Sequence, residues 1–168
     1  LLAENSAQKW DAVAFKFCYV DLGEEAGRDV DTLIKMYRHA ISSVKAAHPK
    51  INLVHITMPL KSDPLGRVAW LKRYLGMSKE NDADNLLRNT FNERLHSEFP
   101  KDAFFDLAQA ESTRPDGSRS GFTKNGKPFY TLDRQFTYDE GHLTPYGKKW
   151  VANEFVRSLA LAIGISKN

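Results

Sequence analysis

Hydrophobic and polar residues follow one another along this chain in a pattern that predicts strands and helices in alternation. Residues 11–20 form a nearly continuous apolar and aromatic run, typical of a buried strand in a parallel sheet. Residues 30–47 place apolar side chains at helical spacing, and Pro49 favours an end to that helix. Residues 51–59 predict a second strand. A strand, a helix and a strand with a crossover of this length predict a right-handed βαβ unit.

The second half of the chain continues this alternation. The pattern predicts a short amphipathic helix at 67–77, a longer helix at 82–99, a third parallel strand at 103–107 and a C-terminal helix at 146–163. The apolar face predicted for the longer helix carries Leu86, Leu87, Phe91 and Leu95. Residues 111–138 are rich in Ser, Arg, Gly and Pro, and predict a loop or hairpin insertion that turns at Asn125-Gly126.

These elements predict the α/β class, with a mostly parallel sheet covered by helices in three α/β/α layers. A chain of 168 residues is long enough for one domain, so we expect a single domain over 1–168. Three strands are few for a sheet covered on both faces. Because the chain also starts without Met or a leader segment, we expect one or two further strands before Leu1.

Composition narrows the class of protein. The hydrophobic fraction is 42% and the charged fraction 27%, as in ordinary globular proteins, and no apolar run is long enough to predict a membrane span. Lys and Arg number 24 against 21 Asp and Glu, which argues only weakly for nucleic-acid binding. Cys18 is the single cysteine, which excludes an intrachain disulfide. The compartment, secreted or otherwise, and the oligomeric state stay open.

The leading candidate for chemistry is the pair Asp139 and His142, just before the last helix. At this spacing a carboxylate can reach an imidazole. It then holds one ring nitrogen protonated and leaves the other able to take a proton from a nucleophile. The same spacing also suits a helix N-terminal cap or half of a metal site, so the spacing alone leaves three interpretations open.

Four segments in order resemble the later blocks of the SGNH (GDSL-type) hydrolases, over about residues 10–165. They are the strand ending near Asp21, the strand ending at 58–59, the short strand at 105–107 and the segment DEGHLTPYG at 139–147. The last is the most specific, because the family's final block supplies the Asp and the His of a catalytic triad. The resemblance therefore implies an SGNH/flavodoxin-like fold with Asp139 and His142 as catalytic residues.

The resemblance also implies parts that have no match here. The family's nucleophilic Ser and an oxyanion-hole Gly belong to earlier blocks, so we expect both before Leu1. The third block normally carries an Asn that donates to the oxyanion, whereas residues 16–21 read KFCYVD. An ionised Asp cannot donate a hydrogen bond. Tyr19 and Asp21 are thus candidates for oxyanion or substrate binding, with Asp21 needing to be protonated or to have another role.

Other polar residues have a structural explanation beside a functional one. Cys18 is a candidate nucleophile for His142, although a core position is favoured for a Cys between aromatic residues. Asp21 fits a loop cap equally well, and Asp106 favours local backbone bonding over a place at the rim of the site. The remaining histidines lack metal-ligand spacing, so we predict no metal and no cofactor; they are His39, His48, His55 and His96.

The resemblance implies an ester hydrolase that uses Ser-His-Asp chemistry on a small-molecule or carbohydrate ester, with carbohydrate O-acyl groups as the first expectation. Without the Ser, the 168 residues alone are expected to be inactive. The basic stretch 114–134 is either a lid that recognises an anionic or carbohydrate substrate or a solvated hairpin. The competing hypothesis is a non-catalytic module of the same fold that binds a carbohydrate or another partner.

Overall fold

A computed structural model describes residues 12–23, 26–63 and 82–162. The strands are β1 (Ala12–Phe15), β2 (Asn52–Ile56), β3 (Ala103–Phe105), β4 (Gly121–Lys124) and β5 (Lys127–Tyr130). The helices are α1 (Val30–Ala47), α2 (Asp82–Glu98), α3 (Leu107–Ser112) and α4 (Pro145–Ala162). The helix predicted at 67–77 and all predictions for residues 1–11 lie outside the described residues.

The predicted parallel sheet is confirmed in strands β1, β2 and β3, which lie in that spatial order. Ala12 pairs with Asn52 in one parallel ladder, and Val54 pairs with Ala103 in the next. Among the described strands, β1 and β3 form the two edges of this sheet. Because the strands are parallel, their carboxyl ends all lie at the same end of the sheet, which is where parallel α/β folds hold their sites.

Alternation along the strands divides the core between the two faces of the sheet. On one face, Phe15 and Leu53 pack with α1 and α2 around the buried side chain of Tyr37. On the other face, Val54 and Phe105 pack against α3 and α4. The three-layer α/β/α prediction is therefore confirmed.

Helix α1 has the predicted bounds because both ends are marked in the sequence. The Asp29 side chain accepts from the Thr32 backbone N–H at 2.7 Å, which caps the first turn. At the other end, the N–H of His48 donates to the carbonyl of Val44 at 2.8 Å, and Pro49 follows.

The first strand is shorter than predicted. It ends at Phe15 rather than near Val20, and a 3-10 turn covers Tyr19–Asp21. The Asp21 carboxylate accepts from the backbone N–H of Cys18 at 2.7 Å, while the N–H of Asp21 donates to the Cys18 carbonyl. This local turn satisfies the N–H and the carbonyl of Cys18 without a strand partner.

A short helix was missed after the third strand. The prediction carried that strand to Leu107, but Leu107 begins α3, since the Asp106 carboxylate accepts from the Gln109 N–H at 2.9 Å and caps the helix. Asp106 also accepts from the Thr57 hydroxyl, which agrees with the structural role favoured for it. Helix α3 extends into the stretch predicted as an insertion, whose hairpin is confirmed in β4 and β5 with its turn at Asn125 and Gly126.

Helix α2 buries amides as well as Phe91 and Leu95, which belong to the predicted apolar face. Leu86 and Leu87 are only half-buried. In the core, Asn92 pairs with both backbone groups of Met58, accepting from its N–H at 2.7 Å and donating to its carbonyl at 3.0 Å. Asn85 pairs in the same manner with Lys61. The two side-chain amides thus bond to the backbone of segment 57–62, which follows β2, as a neighbouring strand would do.

Replacing Asn92 with alanine is expected to lower the free energy of unfolding by about 2–4 kcal/mol, because the buried N–H and carbonyl of Met58 would lose their hydrogen-bond partner. Urea unfolding measures the change. Asn153→Ala, at an exposed position of α4, is the matched control and should change it by less than about 0.5 kcal/mol. Equal losses in the two variants would contradict the pairing role of the Asn92 amide.

His55 is a buried histidine with both ring nitrogens engaged, as expected of a satisfied core residue. Its Nδ1 lies 2.9 Å from the Tyr37 hydroxyl and its Nε2 lies 2.9 Å from the Asp102 carboxylate. Burial lowers the pKa of His55 below its ordinary 6.5, although the hydrogen bond to Asp102 opposes the shift. Lys45 and His96 nearby also disfavour its protonation. The folded state therefore prefers the neutral imidazole.

A lowered pKa in the folded state means that the unfolded chain binds the proton more tightly. The stability that His55 contributes is then complete above pH 6.5 and is lost as the pH falls below that value. Urea unfolding between pH 5 and pH 8 should show this slope, and His55→Gln should remove that part of it. A slope unchanged in His55→Gln would assign the pH dependence to other groups.

Candidate active site

Asp139 and His142 are in direct contact in the loop between the second 3-10 turn, Arg134–Phe136, and helix α4. Asp139 Oδ2 lies 2.7 Å from His142 Nδ1, and Asp139 Oδ1 accepts from the backbone N–H of His142 at 2.7 Å. One carboxylate therefore fixes both the backbone and the ring of the histidine. Among the described residues, His142 Nε2 has no hydrogen-bond partner, and the His142 side chain is 65% exposed.

The loop that carries this pair is held on both sides. The Thr137 hydroxyl donates to the His142 carbonyl at 2.8 Å, and the Ser62 N–H donates to the Glu140 carbonyl at 2.8 Å. Glu140 has a φ of +77°, a conformation that non-glycine residues rarely adopt and that is enriched at functional sites. A Cβ at Gly147 would come within 2.5 Å of the Phe136 carbonyl, so glycine lets α4 begin against this loop.

The electrostatics favour an ionised Asp139. Its pKa lies below the ordinary value, first because the backbone N–H of His142 donates to the carboxylate and also because the imidazole bonds to it. A carboxylate in that state holds a proton on Nδ1 of the ring, which leaves Nε2 as the acceptor. The pair thus has the form of a general base with its orienting carboxylate.

Tyr19 lies beside this loop although the two are far apart in sequence. A Cβ placed on Gly141 would meet the Cζ and hydroxyl of Tyr19 at 3.3 Å, so the phenol packs against the glycine between Asp139 and His142. The Tyr19 carbonyl in turn accepts from the guanidinium of Arg88 at 3.2 Å. The phenol is therefore placed against the loop that carries the Asp139–His142 pair.

Asp21 and Cys18 have local roles in the structure. The Asp21 carboxylate accepts from the Cys18 N–H of the 3-10 turn and lies 3.8 Å from the guanidinium of Arg28, and its role in substrate binding stays a prediction. Cys18 is half-buried, and the hydrophobic clusters of the described residues do not include it. The expectation of a core cysteine is therefore wrong for the described structure.

Glu111 is a buried carboxyl that the sequence analysis missed. It is 4% exposed, and its Oε2 accepts from the N–H of Leu60 at 2.9 Å. Burial raises the pKa of Glu111 to about 8, while the bond from Leu60 opposes the shift. Together with Asn85 and Asn92, Glu111 holds the segment between β2 and Ser62 by hydrogen bonds to its backbone. Ser62 in turn bonds to the loop that carries Asp139 and His142. A Glu in a Ser- and Arg-rich stretch gives no sequence signal for burial.

The described residues contain no group of three or more His, Cys, Asp or Glu side chains placed to hold a metal ion. Within the same part of the chain, no helix combines the length and the apolar character needed to cross a bilayer.

Comparisons with known proteins show the fold. No family model matches the chain, and no curated protein matches it either. Among solved structures, it is similar to a protein from Streptococcus pneumoniae provisionally described as a platelet activating factor, with a TM-score of 0.59 and 14% sequence identity. The match covers 89% of this chain and 59% of that one, so this chain spans about three fifths of the length of its structural neighbour.

Proposed function

We propose that this chain is the base-bearing part of an ester hydrolase of the SGNH type. The observation that carries the proposal is the contact between Asp139 and His142, with Nδ1 at 2.7 Å from the carboxylate and the ring largely exposed. The loop is tied through Ser62 to the segment that leaves the carboxyl end of β2, where parallel α/β folds hold their sites. The similar solved structure adds support for the fold alone.

In the proposed reaction, a serine outside the described residues attacks the carbonyl carbon of an ester. His142 Nε2 takes the serine proton and gives it to the leaving alcohol, while Asp139 stabilises the imidazolium. Water then attacks the acyl-serine and loses a proton to His142, which returns that proton to the serine oxygen as the acyl–oxygen bond breaks and the acid is released. By analogy with the family, the substrate is a small-molecule or carbohydrate ester, with O-acyl groups of carbohydrates first.

The proposal also gives Tyr19 a role. The family's third block normally provides an Asn donor for the oxyanion, and Asp21 at the end of this block is a hydrogen-bond acceptor here. A phenol can donate where an ionised carboxylate cannot. Since the Tyr19 hydroxyl lies beside Gly141, between the two residues of the pair, we assign it the donor role in the oxyanion hole.

The alternative is a module of the same fold that binds a carbohydrate or another partner and has no catalysis. It is favoured by the acceptor role of Asp21 in place of an amide donor. Hydrolysis of p-nitrophenyl acetate and butyrate by the full natural protein separates the two functions. Saturable turnover supports the hydrolase, and hydrolysis no faster than with an unrelated protein of similar histidine content supports the binding module.

A further inference from the structure

A cavity of about 220 Å³ lies beside the hairpin, with arginine side chains in its wall. The charged and hydroxyl side chains of its lining are those of Arg114, Arg119, Arg134, Asp63 and Ser120. Its volume is below the roughly 300–1,000 Å³ of pockets that enclose a whole drug-sized ligand, so it fits one part of a larger molecule. It is named the arginine cavity below.

Arg119 is held in place by an aromatic ring and a hydroxyl. Its guanidinium carbon lies 3.4 Å from the centre of the Tyr130 ring, and its Nε and Nη2 both donate to the Ser112 hydroxyl, at 3.2 and 2.9 Å. Within the described residues, no carboxylate pairs with it. Arginine carries about five N–H donors in a planar fork, so most of those of Arg119 remain for a ligand.

The other two arginines of the cavity are balanced by carboxylates. Arg114 Nε donates to Asp133 Oδ2 at 2.6 Å, and Arg134 lies 3.8 Å from Asp63. Among the described residues, the three arginines of the cavity and the two carboxylates that pair with them carry a net charge of one positive unit, which is that of Arg119. A single positive charge on a planar fork suits a carboxylate, which accepts two parallel N–H bonds, better than a doubly charged phosphate.

The arginine cavity is linked to the candidate active site through two consecutive residues, Ser62 and Asp63. Asp63 lines the cavity, and the N–H of Ser62 donates to the Glu140 carbonyl in the loop that carries His142. A molecule bound in the cavity therefore contacts the segment that is hydrogen-bonded to the loop of the exposed imidazole.

Resting on the proposed ester hydrolase, we infer that the arginine cavity is a subsite for a carboxylate of the substrate, with Arg119 as its main contact. The substrate is then an ester that carries a carboxylate near the scissile group, such as an acylated sugar acid. Arg119→Gln removes the charge at an exposed position and should leave the fold intact, as circular dichroism would show.

Isothermal titration calorimetry of the full natural protein with glucuronate, and with glucose as its neutral match, tests the subsite. Glucuronate should bind and glucose should not, and Arg119→Gln should weaken glucuronate binding by about tenfold or more. Lys124→Gln, which removes an exposed hairpin charge outside the cavity wall, should bind glucuronate as the natural protein does. His142→Ala should also bind normally, so the subsite and the hydrolase are tested separately.

The inference is overturned if glucuronate does not bind, if glucose binds equally well, or if Lys124→Gln weakens binding as much as Arg119→Gln does. Tighter binding of inorganic phosphate than of glucuronate would also overturn it, because the argument from a single net charge would then be wrong. Failure of ester hydrolysis with intact glucuronate binding would leave the subsite in place and remove the proposed hydrolase.

Discussion

Replacing His142 with alanine is expected to lower kcat/KM of the full natural protein for p-nitrophenyl acetate by about 10³-fold or more. His142 Nε2 is the proposed acceptor of the serine proton, and Asp139 already occupies Nδ1 at 2.7 Å. Without the ring, the nucleophile loses its base and the leaving alcohol loses its acid. Because the His142 side chain is 65% exposed, its removal opens no cavity in the core.

The matched control is His39→Ala, which removes another exposed imidazole, on helix α1. Its kcat/KM should stay within about twofold of the natural value. Comparable losses in the two variants would contradict the role given to His142. Activity of the His142→Ala variant close to the natural value would remove the pair from the mechanism.

The second large effect is expected for Tyr19→Phe, which should lower kcat by about 10²-fold with little change in KM. The substitution deletes only the hydroxyl and keeps the ring that packs against Gly141. A donor to the oxyanion acts on the transition state, so its loss appears in kcat. Steady-state kinetics of the full natural protein on p-nitrophenyl acetate provides both constants.

Tyr146→Phe is the control for Tyr19→Phe, since its phenol is 51% exposed on the surface of α4. It should leave both constants within about twofold. A rise in KM with unchanged kcat in Tyr19→Phe would make Tyr19 a substrate-binding residue instead of an oxyanion donor. No change in either constant would leave the phenol with only a packing role.

The fold could be predicted where a local signal marks each boundary. Helix α1 combines apolar side chains at helical spacing with Asp29 before it and Pro49 after it, and its bounds are as predicted. The hairpin followed from Asn125-Gly126, whose φ values of 52° and 76° are those that such a turn requires. Strand β1 ends at Phe15, and nothing in the apolar run signals the turn that the Asp21 carboxylate makes with the Cys18 N–H further along the chain.

Packing between distant segments was beyond prediction. The apolar spacing on α2 identified the buried Phe91 and Leu95, but it gave no sign that the amides of Asn85 and Asn92 hold the segment after β2. These amides stabilise the fold by bonding to the backbone of Met58 and Lys61, which comes near them only in the folded chain. Hydrophobic periodicity predicts that a polar residue on a helix is exposed, unless its hydrogen-bond partner is known.

In the candidate site, too, contacts between residues close in sequence were easier to predict than contacts between distant loops. Asp139 and His142 are three residues apart, and this spacing allows the contact that the structure shows. The approach of Tyr19 to Gly141 and the grouping of Arg119 with Arg134 depend on how the loops meet at the edge of the sheet. The roles of these residues remain predictions for the experiments above.

The most direct test of the hydrolase is covalent labelling of the full natural protein with a fluorophosphonate, followed by intact mass and peptide mapping. A serine activated by His142 should take up one phosphonyl group, on a peptide outside the described residues, and His142→Ala should label at least about 100-fold more slowly. An unlabelled natural protein, or equal labelling of the variant, would contradict the proposed base and favour the binding module.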